Sequence, residues 1–221
     1  MRQGDDNPRI SAEGAGALLF DVAGPVFDPV LQERLWVLAR SLREIDGVSE
    51  TAPGMNNLMV VFDPLRLDPE KLEAQLLDGW RRAEPGSAVG RLVDIPVVYG
   101  NDGSDLKEVA AAKGLTVGRL VEMHTAPVYS VAAVGAMPGF VYLSGLDPDL
   151  ALPRRAVPRM GVPVGSVIIG GAQAGIMPLT APSGWHILGH TDFSLFDAKR
   201  EPPAALRAGD RIRFIATEVR A

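Results

Sequence analysis

The chain of 221 residues contains no cysteine. Disulfide bonds, cysteine-ligated zinc, iron–sulfur clusters and thiol nucleophiles are therefore excluded. Basic residues are also outnumbered, since 22 Lys and Arg stand against 27 Asp and Glu and the net charge is −5. A chain with this balance lacks the positive field that attracts nucleic acid or an anionic membrane surface. We expect neither as a partner.

Signals for export and for membrane insertion are missing as well. The first ten residues, MRQGDDNPRI, are polar and acidic, unlike a signal peptide. No apolar run approaches the roughly 20 residues that a helix needs to span a bilayer. The sequence therefore predicts a cytoplasmic protein.

The common nucleotide and hydrolase motifs are absent too. There is no G-x-x-x-x-G-K-[ST] cradle for ATP, and Gly14-Ala15-Gly16 lacks the third glycine of a dinucleotide fingerprint. No G-x-S-x-G elbow occurs, and neither Ser166 nor Ser183 has a sequence sign of an activating base. If the chain takes part in catalysis, we expect a site that is unconventional or shared with a partner.

The first part of the chain has the pattern of a small α/β domain. Asp28-Pro29 and Asp68-Pro69 each place a capping residue before a proline, which is typical of a helix start. Apolar runs predict strands at 17–22, 47–51, 58–62 and 92–98. The resulting order, β-α-β-β-α-β, predicts a ferredoxin-like domain over residues 1–90, whose last strand leads into the second domain.

Residues 91–221 have the pattern of a mostly β barrel with two helices. The helices are predicted after Ser104, which would cap the first, and after Thr116. Between residues 135 and 196 lie ten glycines and seven prolines, separated by short apolar runs such as FVYL, SVII and WHIL. Glycine and proline between strands indicate a sharply bent backbone. We expect this stretch to carry the function.

Three arginines lie in one proline-flanked segment, LPRRAVPR, in which Arg154, Arg155 and Arg159 cannot form a helix. Guanidinium groups bind carboxylates and phosphates bidentately, so the segment suits an anionic ligand. A solvated loop or an intersubunit salt bridge explains it equally well. The following segment Gly170–Gly175, with Gln173 as its polar side chain, predicts either an anion-binding nest of amides or a tight β connection.

The three histidines leave alternatives open. His124 falls at the end of a predicted helix, where an imidazole satisfies free carbonyls and complements the helix dipole, or else faces a glycine-rich cleft. His186 and His190 resemble a metal pair, but four residues of a strand span about 13 Å, too far for one ion. Only His190 and Asp192 are close enough to share a ligand. We expect no metal site.

Several segments resemble one known family, the B subunit of 5-oxoprolinase, which is also labelled KipI-like or allophanate hydrolase subunit 1. The segments are HTAPVYSV (124–131), MPGFVYLSGLDPDLALPRRAVPR (137–159), VPVGSVIIGGAQAGIMPLTAPSGWHILGHT (162–191) and LRAGDRIRF (206–214). With FDPLRLDP (62–69), the resemblance covers nearly the whole chain. It implies an α+β protein in which a cyclophilin-like β barrel follows the ferredoxin-like domain.

The resemblance also implies an activity and partners. It implies one component of an ATP-dependent 5-oxoprolinase, a hydrolase that opens 5-oxo-L-proline to L-glutamate, and an isolated chain that is inactive. The partners would be a KipA-like chain (the C subunit of 5-oxoprolinase) and a LamB/YcsF-like chain (the A subunit), and ATP would be bound by the complex. Two alternatives remain: an inhibitor of a sensor histidine kinase, and a carboxyltransferase or allophanate hydrolase-type subunit of urea metabolism.

Site residues carry over to matching positions. Arg155 would hold a carboxylate or phosphate together with Arg154, Gln173 would bind the lactam, and His124 would orient groups or shuttle protons. The catalytic set is thus His124, Arg155 and Gln173, and the substrate-binding set is Pro138, Gly139, Phe140, Arg154 and Trp185. The chain departs from the family pattern at Ser144, Ala174, Met177, Ser183 and His190, where the family usually has Gly, Thr, Tyr, Gly and Arg.

Overall fold

The computed structural model describes residues 8–86 and 90–220. The chain divides into two compact units, residues 1–89 and residues 90–221. Each unit contains a hydrophobic core of its own. Among the described residues, no helix has both the length and the apolar character needed to cross a membrane.

The first unit is a four-stranded sheet with helices. Its elements are β1 (Arg9–Ala12), β2 (Ala17–Asp21), α1 (Pro29–Leu42), β3 (Val48–Pro53), β4 (Asn57–Phe62) and α2 (Pro69–Arg82). The strands lie in the order β1-β2-β4-β3 and every neighbouring pair is antiparallel. Because β4 lies between β2 and β3, helix α1 connects two parallel strands across it.

Both helices begin where the Asp-Pro pairs predict. The Asp28 carboxylate accepts hydrogen bonds from the amides of Val30 and Leu31, and the Asp68 carboxylate accepts one from Glu70 at 2.8 Å. These bonds satisfy amides that have no partner within the helix. The buried face of each helix then packs on the sheet through Leu35, Leu38, Leu42, Leu72, Leu76 and Trp80.

One strand of the predicted ferredoxin-like order belongs elsewhere. The strand predicted at 92–98 forms, as Leu92–Tyr99, but it is part of the barrel of the second unit. The position beside β2 is taken instead by β1, which precedes it in the chain. Alternating apolar residues identify a strand but not the sheet that it joins, and this explains the wrong assignment.

The second unit is built around a closed seven-stranded barrel. Its elements are β5 (Leu92–Tyr99), α3 (Leu106–Ala112), α4 (Val117–Thr125), β6 (Tyr129–Val134), β7 (Val141–Ser144), a short 3₁₀ helix (Pro148–Leu150), β8 (Arg159–Val162), β9 (Ser166–Gly170), β10 (Gln173–Ile176), β11 (Ala181–Ser183), β12 (His186–His190) and β13 (Arg211–Val219). The mixed α+β class and the barrel predicted from the sequence are confirmed.

The barrel strands follow the order β10-β7-β6-β13-β5-β12-β9, and β9 pairs with β10 to close the ring. Strand β13 runs parallel to β5, while the other barrel pairs are antiparallel. Strands β8 and β11 pair antiparallel and form a separate two-stranded sheet outside the barrel. Closure leaves the barrel strands without a free edge.

Candidate functional site

Alternating residues divide the barrel strands between an inner and an outer face. Along β9, Val167 and Ile169 belong to the interior core, whereas Ile168 belongs to a separate cluster on the outside. That outer cluster consists of Phe140, Val162, Ile168, Met177, Trp185 and Ile187, with Tyr142 at its margin. We call the rings of Phe140, Tyr142 and Trp185 the outer aromatic face.

The three rings meet edge to face. Their centroids are 4.9 Å apart for Phe140 and Tyr142, 5.9 Å for Phe140 and Trp185, and 6.2 Å for Tyr142 and Trp185. These are favourable aromatic geometries. The rings lie directly on backbone, because a Cβ at Gly170 would come within 2.8 Å of the Trp185 ring and one at Gly175 within 3.1 Å of the Phe140 ring.

Arg154 and Gln173 lie beside this face. The guanidinium carbon of Arg154 is 5.5 Å from the Trp185 ring centroid, within the range of a cation–π interaction. Gln173 is two residues before Gly175 on β10, so its side chain shares the outer side of that strand. Among the described residues, no carboxylate pairs with Arg154 and nothing hydrogen-bonds the Gln173 side chain. Both polar groups are thus available to a ligand.

The loop before Gln173 is a tight β connection. Gln173 pairs with Gly170 across β9 and β10, and the turn between them contains Gly171 at a φ of 62°. The Gly171 amide donates to the Leu152 carbonyl at 2.8 Å. Of the two structures predicted for this segment, the β connection is confirmed, and the bond to Leu152 brings the start of the arginine segment to the hairpin tip.

Arg155 is bound differently from Arg154. Its Nη1 donates to Oδ1 of Asp105 at 2.9 Å, and Asp105 also accepts two hydrogen bonds of 2.6 Å from Arg159. Asp105 is almost completely buried. From the sequence, an intersubunit salt bridge is one role for these arginines. Arg155 and Arg159 do form salt bridges, but with Asp105 of the same chain. Arg154 has no carboxylate partner among the described residues, whereas Arg155 is paired with Asp105. Binding of one substrate by both arginines stays a prediction.

The turn that contains Pro138 and Gly139 adjoins a cavity. Gly139 has a φ of 79°, and a Cβ there would lie 2.8 Å from that of Phe196. Phe196 lines a cavity of about 250 Å³ together with Met177, His190 and Asp192. Pro138 is exposed at the turn itself. Two of the departures from the family pattern, Met177 and His190, thus face the same cavity.

No metal centre is evident in residues 8–86 and 90–220, where no three His, Cys, Asp or Glu side chains are grouped to hold an ion. Nε2 of His190 lies 3.1 Å from Oδ1 of Asp192. His186 hydrogen-bonds through Nε2 with the Pro153 carbonyl at 2.9 Å. His186 and His190, whose spacing resembles that of a metal pair, therefore have separate hydrogen-bond partners.

His124 lies inside the barrel, away from the outer aromatic face. Its ring stacks on Phe214 with 4.6 Å between centroids, and its Nδ1 is 2.7 Å from the hydroxyl of Tyr99. Burial lowers the pKa of His124 from 6.5 to about 3, so the ring is neutral at physiological pH. The proposed role in shuttling protons at a cleft does not fit this position, and neither does the alternative of satisfying helix-end carbonyls.

Sequence reasoning overlooked two residues of this region. Tyr142 was visible only as part of the FVYL strand, although alternation with Val141 and Leu143 would have placed it outside the barrel. Asp105 carried no signal beyond its position after Ser104. Its partners are 50 and 54 residues away along the chain, and only the fold brings them together.

Comparison of the sequence with known proteins identifies a family and named relatives. The family model for the carboxyltransferase domain, subdomain C and D, matches residues 8–206. The B subunit of 5-oxoprolinase from Escherichia coli O157:H7 is 43% identical over 204 residues, which is 91% of this chain and 93% of that protein.

Solved structures support the same relationship. The crystal structure of TTHA0988 superposes with a TM-score of 0.81 at 36% identity and covers 91% of this chain, which spans only 40% of the length of that protein. The urea amidolyase of K. lactis has a TM-score of 0.76 at 16% identity over 98% of this chain and 15% of its own, a likeness of fold alone. The chain therefore belongs to the carboxyltransferase domain, subdomain C and D, family, among relatives that are named as the B subunit of 5-oxoprolinase.

Proposed function

We propose that the chain is a subunit of an ATP-dependent 5-oxoprolinase and supplies part of the site that binds 5-oxo-L-proline. The observation that carries the proposal is the guanidinium of Arg154 above Trp185, with Gln173 on the outer side of β10, both without a polar partner among the described residues. The identity to the Escherichia coli protein named as the B subunit of 5-oxoprolinase supports the choice of reaction.

The chemistry of the ligand suits these groups. 5-Oxoproline carries a carboxylate, which a guanidinium recognises through charge-assisted hydrogen bonds. Its lactam has one acceptor and one donor, and the amide of Gln173 can donate to the lactam oxygen and accept from the lactam N–H. The apolar methylenes of the ring can pack on Trp185 and Phe140. In this assignment Arg154 and Gln173 fix the orientation of the ring.

The rest of the reaction belongs to a complex. Opening of the lactam consumes ATP and water, and we propose that a KipA-like chain and a LamB/YcsF-like chain supply the groups that bind ATP and activate the lactam. The absence of a phosphate-binding motif in the sequence and the open position of Arg154 on the barrel exterior support a shared site. The isolated chain should accordingly have no turnover.

The assignment is tested by Arg154→Ala in the reconstituted complex, with formation of glutamate from 5-oxoproline as the readout. A hydrogen bond to a charged group is worth about 1.5–3 kcal/mol, so KM should rise roughly 10- to 100-fold. Arg154→Lys should recover only part of the loss, because a lysine binds a carboxylate through a single point.

The matched control is Arg119→Ala, which removes an exposed arginine of α4 whose ion pair with Glu122 is on the surface. Its kinetic constants should equal those of the unaltered complex.

Deletion of the gene should also abolish growth on 5-oxoproline as sole nitrogen source and raise the intracellular 5-oxoproline. Unchanged KM and kcat in Arg154→Ala, or normal growth without accumulation, would contradict the proposal.

A further inference from the structure

Asp105 stands at the start of helix α3, but its side chain is used for contacts other than capping. It occupies the N-cap position of α3, yet its side chain accepts no hydrogen bond from the first turn of that helix. The Ser104 hydroxyl, predicted to be the N-cap, accepts a bond of 3.3 Å from Leu106 instead. The Asp105 carboxylate is turned into the protein and is 1% exposed. A buried carboxylate is costly unless it is paired, so its partners explain its position.

Those partners come from two other segments. Arg155 donates to Oδ1 at 2.9 Å, while Arg159 donates to both oxygens at 2.6 Å. The amide of Ile187 on β12 donates to Oδ2 at 2.8 Å, and the Asp105 amide donates back to the Ile187 carbonyl at 2.6 Å. One carboxylate therefore joins α3, β12 and both arginines.

The electrostatics favour this arrangement. Burial raises the pKa of Asp105, but the hydrogen bonds from Arg159 and Ile187 and the charges of Arg159 and Arg155 outweigh it, so the pKa lies below its ordinary value. The carboxylate is charged at physiological pH. Two guanidiniums on one segment are thereby held beside each other despite their like charge.

The segment held in this way carries Arg154. We define the arginine arm as residues 153–159. The arm is preceded by Leu152, which is bonded to the hairpin tip at Gly171, and the Arg155 amide donates to the carbonyl of Gly184 at 2.7 Å. Gly184 directly precedes Trp185, so the backbone on either side of Arg154 is fixed next to the ring that its guanidinium covers.

We propose that Asp105 is a positioning residue for substrate binding: by holding Arg155 and Arg159, it fixes the arginine arm so that Arg154 stays above Trp185. The inference rests on the proposed role of Arg154 in binding the carboxylate of 5-oxoproline. Asp105 touches no ligand in this scheme and acts through the arm alone.

The test is Asp105→Asn in the reconstituted complex. The substitution keeps the size of the side chain, but it removes the charge and turns one acceptor into a donor facing donors. Exchange of the Arg155 amide, which donates to the Gly184 carbonyl, should become at least tenfold faster, and KM for 5-oxoproline should rise about tenfold with a smaller change in kcat. Exchange in β6 and β13 should be unaltered, which separates a loosened arm from a loosened barrel.

Two further variants complete the experiment. Glu108→Gln removes a carboxylate from the same helix, at 3.9 Å from Arg155 and 77% exposed, and should change neither exchange nor KM. Arg159→Met leaves Asp105 paired with Arg155 and Ile187, so it keeps the test available if Asp105→Asn fails to fold, and it should reproduce the faster exchange and the higher KM.

The outcomes separate the two proposals. If Arg154→Ala raises KM while Asp105→Asn and Arg159→Met leave both exchange and KM unchanged, the positioning role is wrong and the role of Arg154 stands. Faster exchange with unchanged KM in these variants likewise overturns the positioning role. If Arg154→Ala itself leaves KM unchanged, the proposed role of Arg154 in binding substrate is wrong, and the positioning role of Asp105 is wrong with it.

Discussion

A neutral histidine inside the barrel gives the protein a predictable response to acid. The pKa of His124 is lowered by burial to about 3, whereas in the unfolded chain it returns to its ordinary value of 6.5. Between these values the unfolded chain binds a proton that the folded chain does not. The contribution of His124 to the free energy of unfolding is therefore complete above pH 6.5 and falls by up to about 1.4 kcal/mol per pH unit below it.

The measurement is urea unfolding at a series of pH values between 7 and 4. In His124→Phe, which cannot take up the proton, the free energy of unfolding should fall less steeply than in the unaltered protein, even if the variant is less stable at pH 7. Met160→Ala, which alters an exposed side chain without a titratable group, should keep the original slope. Equal slopes for all three proteins would show that His124 is not buried in its neutral form.

Gly170, which lies beneath the Trp185 ring, leads to a second prediction for a single residue. Ala at position 170 would place a Cβ 2.8 Å from the indole ring, inside the contact distance of real side chains. Gly170→Ala should therefore displace Trp185, lower the free energy of unfolding by about 1–3 kcal/mol and shift the fluorescence of that tryptophan.

Gly161→Ala is the control for this substitution. Gly161 lies on β8, its backbone needs no positive φ, and a Cβ there would meet no atom within 4 Å. Its unfolding free energy and its emission spectrum should match those of the unaltered protein. If Gly170→Ala is as stable as Gly161→Ala, the indole does not lie on the backbone as described.

Residues of the outer aromatic face were within reach of the sequence, but their supports were not. Tyr142 and Gln173 lie in β7 and β10, where the period of two sorts side chains between faces, and Phe140 and Trp185 directly precede β7 and β12. The partnership of Asp105 with Arg155 and Arg159 depends on segments 50 and 54 residues apart, for which local pattern holds no information. Helical spacing places His124 on the buried face of α4, but the rings of Tyr99, Tyr129 and Phe214 that surround it come from three separate strands.

Among the elements, the helix starts depend most on local chemistry. Asp68→Ala removes the side chain that accepts from Glu70 at the first turn of α2. The free energy of unfolding should fall by about 1 kcal/mol, with a range of roughly 0.5–2. Urea unfolding monitored through Trp80, which lies in the same helix, measures the loss.

Asp78→Ala provides the comparison on the same helix. Asp78 forms an exposed ion pair with Arg82 at 2.7 Å, and such pairs contribute only about 0.3–0.5 kcal/mol. The loss should therefore be smaller than that of Asp68→Ala. The reverse order would mean that the Asp68 cap is not formed in solution.

Elements set by local contacts could be located from the sequence, whereas those set by distant contacts could not. Both Asp-Pro helices begin as predicted, since the cap and the fixed proline φ act within three residues. The strand from Leu92 to Tyr99 was found but placed in the wrong sheet, because its partners β12 and β13 come much later in the chain. The cap of α3 was assigned to Ser104 for a related reason: the true N-cap is committed to distant arginines.

At the scale of the whole molecule, a shared site has a thermodynamic signature. A ligand present at 100 times its Kd stabilises the folded protein by about 2.7 kcal/mol, which corresponds to roughly 5 °C or more for a chain of this size. If 5-oxoproline needs groups from another polypeptide, it should raise the Tm of the reconstituted complex and leave the Tm of the isolated chain unchanged.

Differential scanning calorimetry with increasing 5-oxoproline measures both cases. Proline, which has the carboxylate but lacks the ring carbonyl, serves as the control ligand and should have a smaller effect on the complex. A full shift of Tm in the isolated chain would contradict a shared site, since it would mean that this chain binds the ligand without help.

The place of β13 in the barrel has a consequence for biosynthesis. This strand, from Arg211 to Val219, lies between β5 and β6, and the ion pair that joins it to β5 links Arg213 with Asp94, 119 residues earlier. On a translating ribosome, β5 emerges long before the strand that must lie alongside it. The nascent ring stays open, with apolar surface uncovered, until β13 has left the exit tunnel, so the barrel can close only after its last strand has been synthesised.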